Sequence, residues 1–298
     1  MIRCSRSLLF TSLLLTACTM AAAAPVSLAE YMSLGGPAPT ARIAYGKEPS
    51  QFVEVFTPPG DGPYPVVVLV HGGCWWKKYG GIEQFRGVAG ALVADHIAVW
   101  SIEYRRIDEH GGGYPGTYLD VSAALDSLSR HAAIYHLDLT RIVAVGHSAG
   151  GMMVQWLAGR AGIPPSSPLY TAHPLRIQHV VGLSSINDLR AWTDLCGFPV
   201  SRLTGTRPAG RPDVFADTSP AELLPNGTQT VLVNGELEHQ VPPEVATRFA
   251  AKARAAGDRV ETVVLAGAGH FDAVTPTSSH WPEILRLIKA ALRAPAGD

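Results

Sequence analysis

The sequence is poor in charged residues and has no cluster of basic ones. Charged side chains make up 16% of its 298 residues, and 24 basic residues stand against 25 acidic ones. Nucleic-acid binding requires a basic patch or stripe, so the composition argues against that class of partner. The chain also lacks an internal apolar run of about 18 residues, the length that predicts a membrane-spanning helix. Apolar residues are abundant instead, at 47%, which is enough for the core of one large α/β domain or two small ones.

Cysteine is scarce, and its four positions fall into two groups. Cys4 and Cys18 lie near the N-terminus, and Cys74 and Cys196 lie in the rest of the chain. Proteins of oxidising compartments often join such a pair. Two alternatives therefore stand for Cys74 and Cys196, a disulfide bond or two buried free thiols.

The N-terminus is typical of a bacterial export signal. Two arginines precede a short apolar stretch at residues 7–17, and small residues follow it. The sequence LTAC ends at Cys18 and resembles a lipobox, which would make Cys18 the lipid-bearing first residue of the mature protein. The three alanines at 22–24 fit ordinary cleavage and secretion instead. We predict a signal peptide at 1–17 and an exported protein, a periplasmic or membrane-anchored lipoprotein whose only membrane contact is its anchor.

Beyond the signal, the sequence predicts a tether followed by one α/β domain. Residues 18–45 begin with a stretch rich in alanine, proline, serine and glycine, which predicts a tether. Apolar patterns indicate strands at 51–56, 65–70, 97–102, 142–146, 177–183, 229–233 and 259–265 and helices at 82–94, 117–133, 152–158, 243–256 and 281–292. This alternation predicts a mostly parallel sheet with helices on both faces. We assign the domain to 46–298, with the proline-rich stretch 187–227 as a lid-like insertion.

The most informative stretch is GHSAG at residues 146–150, the G-x-S-x-G pattern of a nucleophile elbow. In such an elbow a buried strand reverses into a helix and leaves a serine hydroxyl exposed on a strained turn. The glycines are needed because a side chain there would collide with neighbouring backbone. An apolar run precedes the pattern at 142–145 and a helical segment follows at 152–158. We predict Ser148 as the nucleophile, and an idle serine on a glycine-rich turn is the alternative.

A serine hydroxyl needs a general base, and the base needs an acid that orients it. In this kind of sheet the acid and then the histidine follow the serine along the chain. His270 stands on a glycine-rich loop after the last strand and is the predicted base. His239 is the alternative, and His147 is expected to be structural because it points away on a tight turn.

The predicted acid is Glu238, three residues beyond Gly235 at the end of a strand. Glu236 on the same turn and Asp188 after the preceding strand are alternatives. Asp272 is too close in sequence to His270 to support it, so we expect a surface position or a role in stabilising the loop.

The sequence HGGCW at residues 71–75 directly follows an apolar strand. Acyl transfer builds negative charge on a carbonyl oxygen, and preorganised backbone N–H groups stabilise that charge. We predict that the N–H groups of Gly73, Cys74 and Ala149 form this oxyanion hole.

The side chains around the HGGCW sequence have separate expected roles. His71 is expected to steer the loop by hydrogen bonds. Trp75 and Trp76 have two alternatives of equal weight, packing in the core or lining the substrate pocket.

Together, HGGCW, GHSAG, GELEHQVP at 235–242 and GAGH at 267–270 resemble the α/β-hydrolase superfamily. Within it the chain looks like the esterase branch that includes kynurenine formamidase-like enzymes, which the segments 102–106 and 111–116 also resemble. The resemblance covers about residues 50–292 and implies an α/β-hydrolase fold with no metal or organic cofactor. Formamidases of this kind usually carry aspartate where Glu238 stands and usually work in the cytoplasm.

We therefore expect a serine hydrolase of the carboxylesterase type. It would cleave a small carboxylic ester or amide through Ser148, His270 and Glu238 by way of an acyl-enzyme. An arylformamidase and a peptidase are alternatives within the enzyme class. A non-catalytic ligand-binding protein on a hydrolase fold is the alternative outside it, and a missing triad element would indicate that alternative.

Overall fold

A computed structural model of the chain describes residues 24–193, 195–197, 200–206 and 211–293. Within these ranges the centre is an eight-stranded sheet in the order β1-β2-β4-β3-β5-β6-β7-β8. The strands are β1 Ala41–Ala44, β2 Phe52–Phe56, β3 Tyr64–Val70, β4 Ala98–Ile102, β5 Leu137–His147, β6 His179–Leu183, β7 Gln229–Gly235 and β8 Arg259–Leu265. Strand β2 pairs antiparallel with β1 and β4, and the pairs from β4 through β8 are parallel.

Helices cover both faces of this sheet. They are α1 Leu28–Ser33, α2 Arg86–Ala94, α3 Gly116–His131, α4 Ala149–Gly159, α5 Ser201–Thr204, α6 Pro243–Ala256 and α7 Trp281–Arg293. One core cluster joins α3 and α4 to one face of the sheet, and a second joins α2 and α7 to the other. The predicted mostly parallel sheet with helices on both faces is confirmed.

Strand β3 shows why the central strands are continuous apolar runs. Val66, Val68 and Val70 point into the cluster with α3 and α4, and Val67 and Leu69 point into the cluster with α2 and α7. All five side chains are fully buried. A strand covered on both faces has no position left for a polar residue, so β3 carries HGGCW rigidly at its carboxyl end.

The N-terminal part of the domain differs from the prediction. Helix α1 and strand β1 both lie inside the predicted tether 18–45, so the tether prediction was wrong for these residues. Strand β1 has four residues and an alternating, half-exposed pattern at the sheet edge, which gives almost no apolar signal. The predicted signal at 1–17 and the lipidation site Cys18 lie outside the described residues.

The described part of the insertion at 187–227 connects β6 to β7. It contains α5 and short 3₁₀ turns at Leu195–Gly197 and Pro220–Glu222. Trp156 of α4 donates its indole N–H to the carbonyl of Asp217 at 2.8 Å, and Arg211 pairs with the Asp217 carboxylate at 2.6 Å. The insertion is therefore fastened to the helix that follows Ser148. In the described ranges, no helix is both long enough and apolar enough to cross a bilayer.

Candidate active site

Ser148 stands on the turn between β5 and α4 in a backbone conformation that side chains rarely adopt. Its φ is 53° and its ψ is −117°. The Ser148 N–H donates to the carbonyl of Leu183 at 2.8 Å, and its own carbonyl accepts from Met152 as α4 begins. Strain of this kind persists only where surrounding contacts fix it, and it is typical of functional sites.

The two glycines of the elbow are required by close backbone contacts. A Cβ on Gly146 would lie 2.2 Å from the carbonyl oxygen of Gly150, and a Cβ on Gly150 would lie 2.1 Å from that of Val70. Both distances are far below van der Waals contact. The sequence GHSAG therefore allows α4 to start directly against β3 and β5, with Ser148 at the point of reversal.

His270 and Glu238 form a buried pair beside Ser148. The Nδ1 of His270 lies 2.6 Å from Oε2 of Glu238, and both residues are more than nine-tenths buried. Because the carboxylate holds Nδ1, the other ring nitrogen, Nε2, is left for the cavity that His270 shares with Ser148. The structure thus brings the three predicted triad residues to one place.

The environment of Glu238 keeps its carboxylate ionised. Burial raises the pKa of Glu238, but the hydrogen bond and charge of His270, the N–H of Val241 and the hydroxyl of Ser184 outweigh burial and lower it to about 2. The second oxygen, Oε1, accepts from the N–H groups of Gln240 at 2.6 Å and Val241 at 3.0 Å. The carboxylate is therefore fixed in both charge and direction.

The alternative acids lie elsewhere. Glu236 is exposed and accepts from the N–H of Gly267 at 2.8 Å. Asp188 accepts from the N–H groups of Arg190 and Ala191 in its own loop. His239, the alternative base, is exposed next to Glu238.

Asp272 stabilises the loop at residues 267–272, which we call the His270 loop. Its Oδ2 accepts from the N–H of Gly269 at 2.8 Å and from the N–H of Val26 at 3.2 Å. Asp272 is buried rather than on the surface. Of the two roles expected for this residue, loop stabilisation is the one that the structure gives it.

His147 supports the backbone of His270. Its Nε2–H donates to the carbonyl oxygen of His270 at 2.9 Å, and the two ring centroids are 4.5 Å apart. Burial and the neighbouring His270 lower the pKa of His147 to about 3, so the ring stays neutral. A neutral imidazole with one proton suits a fixed hydrogen-bond donor, in line with the expected structural role.

The predicted oxyanion loop, residues 71–75, has left-handed backbone at three consecutive positions. The φ angles are 105° at Gly73, 49° at Cys74 and 56° at Trp75. Between described residues, no backbone hydrogen bond uses the N–H of Gly73 or Cys74. The N–H of Ala149 lies in the first turn of α4, where helical N–H groups lack an acceptor within the helix. These three donors match the positions predicted for an oxyanion hole.

A disulfide bond joins the predicted oxyanion loop to the insertion. It joins Cys74 to Cys196 with a Cα–Cα distance of 5.5 Å across 122 residues of sequence. Of the two alternatives for these cysteines, the structure contains the bridge. Because Cys74 and Cys196 both line the cavity, the bond forms part of the wall of the site.

His71 holds the start of the predicted oxyanion loop by hydrogen bonds, the role expected from the sequence. Its Nδ1 lies 2.8 Å from the carbonyl oxygen of Gly72, and its Nε2 lies 2.9 Å from Oε1 of Glu103. Tyr104 stacks on the imidazole at 4.6 Å and donates its hydroxyl to the carbonyl of His71. Burial raises the pKa of Glu103, but His71 and Arg106 outweigh it and hold the pKa below its usual range.

The cavity at Ser148 has a volume of about 500 Å³. Its lining residues are Leu28, Tyr31, Gly73, Cys74, Tyr79, His147, Ser148, Cys196, Gly197, Gln240, Val241, His270 and Phe271. Trp75 is buried in the core, and Trp76 packs against that core beside Lys78 and Arg202. For these two tryptophans, packing in the core rather than lining the pocket is what the structure shows.

Comparison with known proteins places the chain in a family. The model of the BD-FAE family matches residues 53–253, about two thirds of the sequence. The chain belongs to the BD-FAE family. The match runs from β2 to α6, so it includes Ser148 and Glu238 but ends before His270.

Curated relatives of this BD-FAE family member are partial matches. It is 41% identical over 106 residues to carboxylesterase NlhH of Mycobacterium tuberculosis, covering 34% of this chain and 32% of the relative. It is 24% identical over 258 residues to a probable isoprenylcysteine alpha-carbonyl methylesterase of Arabidopsis thaliana, covering 77% and 56%. The chain thus spans about a third of the length of the first of these relatives.

Solved structures share the fold across most of the BD-FAE chain. Esterase B of Lactobacillus rhamnosis superposes with a TM-score of 0.71 at 17% identity, covering 87% of this chain and 88% of that one. The Thermogutta terrifontis esterase 2 superposes with a TM-score of 0.66 at 20% identity, covering 85% and 92%. At these identities the likeness establishes the α/β-hydrolase fold.

Several residues of the site gave no signal in the sequence of this BD-FAE protein. Leu28 and Tyr31 lie in a stretch that reads as a tether, yet both line the cavity. Ser184 follows β6 with a φ of 44°, and its hydroxyl reaches Glu238. No motif marks these positions, because each contributes through a contact with a distant part of the chain.

Proposed function

We propose that the protein is a serine carboxylesterase that hydrolyses a small carboxylic ester. The proposal rests mainly on one observation, the buried pair of Glu238 and His270 with Nδ1 and Oε2 2.6 Å apart beside the cavity that also contains Ser148. A buried carboxylate that fixes one imidazole nitrogen leaves the other to take a proton from a serine. The cavity volume of about 500 Å³ suits a small substrate.

The reaction proceeds in two acyl transfers. Ser148 Oγ attacks the ester carbonyl carbon while its proton passes to Nε2 of His270, and the ionised Glu238 stabilises the imidazolium. The N–H groups of Gly73, Cys74 and Ala149 stabilise the oxyanion. As the C–O bond breaks, His270 returns the proton to the departing alcohol. A water molecule then repeats the sequence on the acyl-enzyme, which releases the carboxylic acid and restores Ser148.

The relatives support this proposal. A carboxylesterase and an esterase of Mycobacterium tuberculosis share 41% and 36% identity with the chain over 106 and 114 residues. The Thermogutta structure contains bound butyrate, a short carboxylic acid. A small acyl group is therefore the first substrate class to test.

The test is hydrolysis of p-nitrophenyl esters from acetate to octanoate by wild type and by Ser148→Ala. We expect turnover by wild type and a loss of roughly 10⁴-fold or more in the variant. Ser129→Ala is the matched control, because Ser129 is exposed on α3 away from the cavity. Equal turnover by Ser148→Ala and wild type would refute the proposed nucleophile.

An N-formyl aryl amide belongs in the same assay. Turnover of this amide in preference to every ester would favour the arylformamidase alternative over the esterase. No turnover of either class would favour the non-catalytic ligand-binding alternative.

A further inference from the structure

The cavity at Ser148 continues into a groove on the side of His270. The groove has a volume of about 330 Å³ and shares four residues with the cavity, Leu28, Gln240, His270 and Phe271. Its outer wall is the segment 25–28, which precedes the BD-FAE match. The groove is therefore continuous with the reaction site and is built partly from residues that the family match does not include.

Contacts with the His270 loop hold the N-terminal segment in place. The N–H of Val26 donates to Oδ2 of Asp272 at 3.2 Å. The ring of Tyr31 stacks on Phe271 with centroids 4.6 Å apart and planes 18° from parallel. Tyr31 is 4% exposed, so the segment is packed on the loop rather than lying loosely over it.

A capping box fixes the start of α1 beside the groove. The hydroxyl of Ser27 accepts from the N–H of Glu30, and the Glu30 carboxylate accepts from the N–H of Ser27 at 2.7 Å. These reciprocal bonds satisfy two of the N–H groups that a helix start leaves unpaired. Leu28, the first residue of α1, therefore has a defined position at the junction of cavity and groove.

The proposed reaction places the alcohol half of the substrate beside His270. His270 must return its proton to the oxygen of the departing alcohol, so that oxygen lies within hydrogen-bond reach of His270. The carbonyl oxygen faces Gly73 and Cys74 instead. The group attached to the departing oxygen is therefore the one that can extend past His270 into the groove.

Apart from the proposed triad residues Glu238 and His270, the walls of the groove are mainly apolar. Pro25, Val26, Leu28, Leu237 and Phe271 all line it. Leu28 and Leu237 are 43% and 44% exposed, so their side chains are accessible to a ligand in the groove. Ser27, His239 and Gln240 add polar groups to the lining.

We infer that this groove binds the alcohol half of the ester and that the alcohol is apolar, with an alkyl or aryl chain. The inference rests on the proposed function, because it uses the direction in which His270 delivers its proton. Leu28 and Leu237 are then specificity-determining residues that discriminate among alcohols and not among acyl groups.

The test uses two isomeric esters, hexyl acetate and ethyl hexanoate. They have the same atoms and differ only in which side of the carboxyl group carries the long chain. In the full chain, Leu28→Asn and Leu237→Asn should each lower kcat/KM for hexyl acetate by about tenfold, with ethyl hexanoate changed by less than about twofold. Both positions are partly exposed, so neither change removes a core side chain.

Leu119→Asn is the matched control. Leu119 is 38% exposed on α3 and lines neither the cavity nor the groove. This variant should leave kcat/KM unchanged for both esters. An equal loss on both isomers in Leu28→Asn and Leu237→Asn, or no loss on either, would overturn the inference while leaving the esterase proposal intact.

Binding to Ser148→Ala separates the inference from the proposed function. This variant holds the intact esters, so calorimetry can measure their Kd even if wild type hydrolyses neither. Adding Leu28→Asn should raise the Kd of hexyl acetate by about tenfold and leave that of ethyl hexanoate unchanged. Equal changes, or no binding of hexyl acetate to Ser148→Ala, would overturn the groove as an alcohol site.

Discussion

At the scale of single residues, the site depends on backbone that few side chains adopt. Ser148, Cys74 and Ser184 all have positive φ, and each is held by a partner elsewhere in the chain. Ser148 donates its N–H to Leu183, Cys74 is bonded to Cys196, and Ser184 lies against Glu238. These contacts offset a cost of order 1–3 kcal/mol for each strained residue.

Glu238→Gln tests the carboxylate of the proposed triad. Glutamine keeps the size of the side chain but removes the charge that orients His270 and stabilises its imidazolium. We expect kcat for p-nitrophenyl acetate to fall by roughly 10⁴-fold. Glu236→Gln, on the same turn but without contact to His270, should keep its activity. Comparable losses in both variants would contradict the assignment of Glu238.

The low pKa of Glu238 also predicts how the free energy of unfolding depends on pH. Folding lowers this pKa from 4.5 to about 2, so the ionised carboxylate stabilises the fold above about pH 4.5. This contribution is lost as the pH falls toward 2. Urea unfolding should therefore show Glu238→Gln less stable than wild type near neutral pH, with the gap narrowing as the pH falls. A gap that is constant with pH would contradict the lowered pKa.

How far the sequence predicts the site also depends on the kind of residue. Ser148 lies in a local motif, and His270 and Glu238 follow predicted strands in a fixed chain order, so pattern and order were enough to select them. Trp75 could not be assigned, because a tryptophan after an apolar strand suits both a core and a pocket. Tyr31 could not be found at all, since its role depends on stacking with Phe271, far along the chain.

At the scale of elements, predictability follows burial. Strands β3, β4, β6 and β7 are covered by helices or neighbouring strands, and their apolar runs predicted them with small errors at the ends, whereas the run at 142–146 predicted only the second half of β5. The exception is β8, an edge strand with alternating exposure that was predicted over its full length. Strand β1 was missed because a short edge strand with alternating exposure has no such run. Helix α1 was missed for a similar reason: it has six residues, and among them Tyr31 alone is buried.

The disulfide bond between Cys74 and Cys196 joins two separate segments of the fold and can be tested directly. Cys196→Ser removes the bond between the predicted oxyanion loop and the insertion. Because the bond closes a loop of 122 residues, we expect its loss to lower the free energy of unfolding by about 2–4 kcal/mol. Urea unfolding with and without dithiothreitol measures this.

The reductant supplies the control for the disulfide prediction. Reduced wild type should match Cys196→Ser, and the variant itself should not respond to dithiothreitol. A wild type whose unfolding midpoint is the same with and without reductant would show that the bond does not stabilise the fold.

At the scale of the whole molecule, we propose that the protein is exported and anchored by a lipid on Cys18. The prediction comes from the LTAC sequence, and a disulfide in the fold fits an oxidising compartment. Wild type should fractionate with membranes and Cys18→Ser should not. Cys4→Ser is the matched control, since Cys4 lies in the predicted signal. A soluble wild type whose first residue is Pro25 would contradict the anchor and support ordinary secretion.

The hydrogen bond from Val26 to Asp272 limits how far an anchored enzyme can reach. From residue 18 to residue 26 the chain advances eight residues, which when fully extended span at most about 30 Å. With Cys18 in the bilayer, Val26 could not move farther than that from the anchor, and the proposed alcohol groove that it lines would stay close to the membrane. The rate of hydrolysis would then follow the density of substrate at the membrane surface rather than its concentration throughout the compartment.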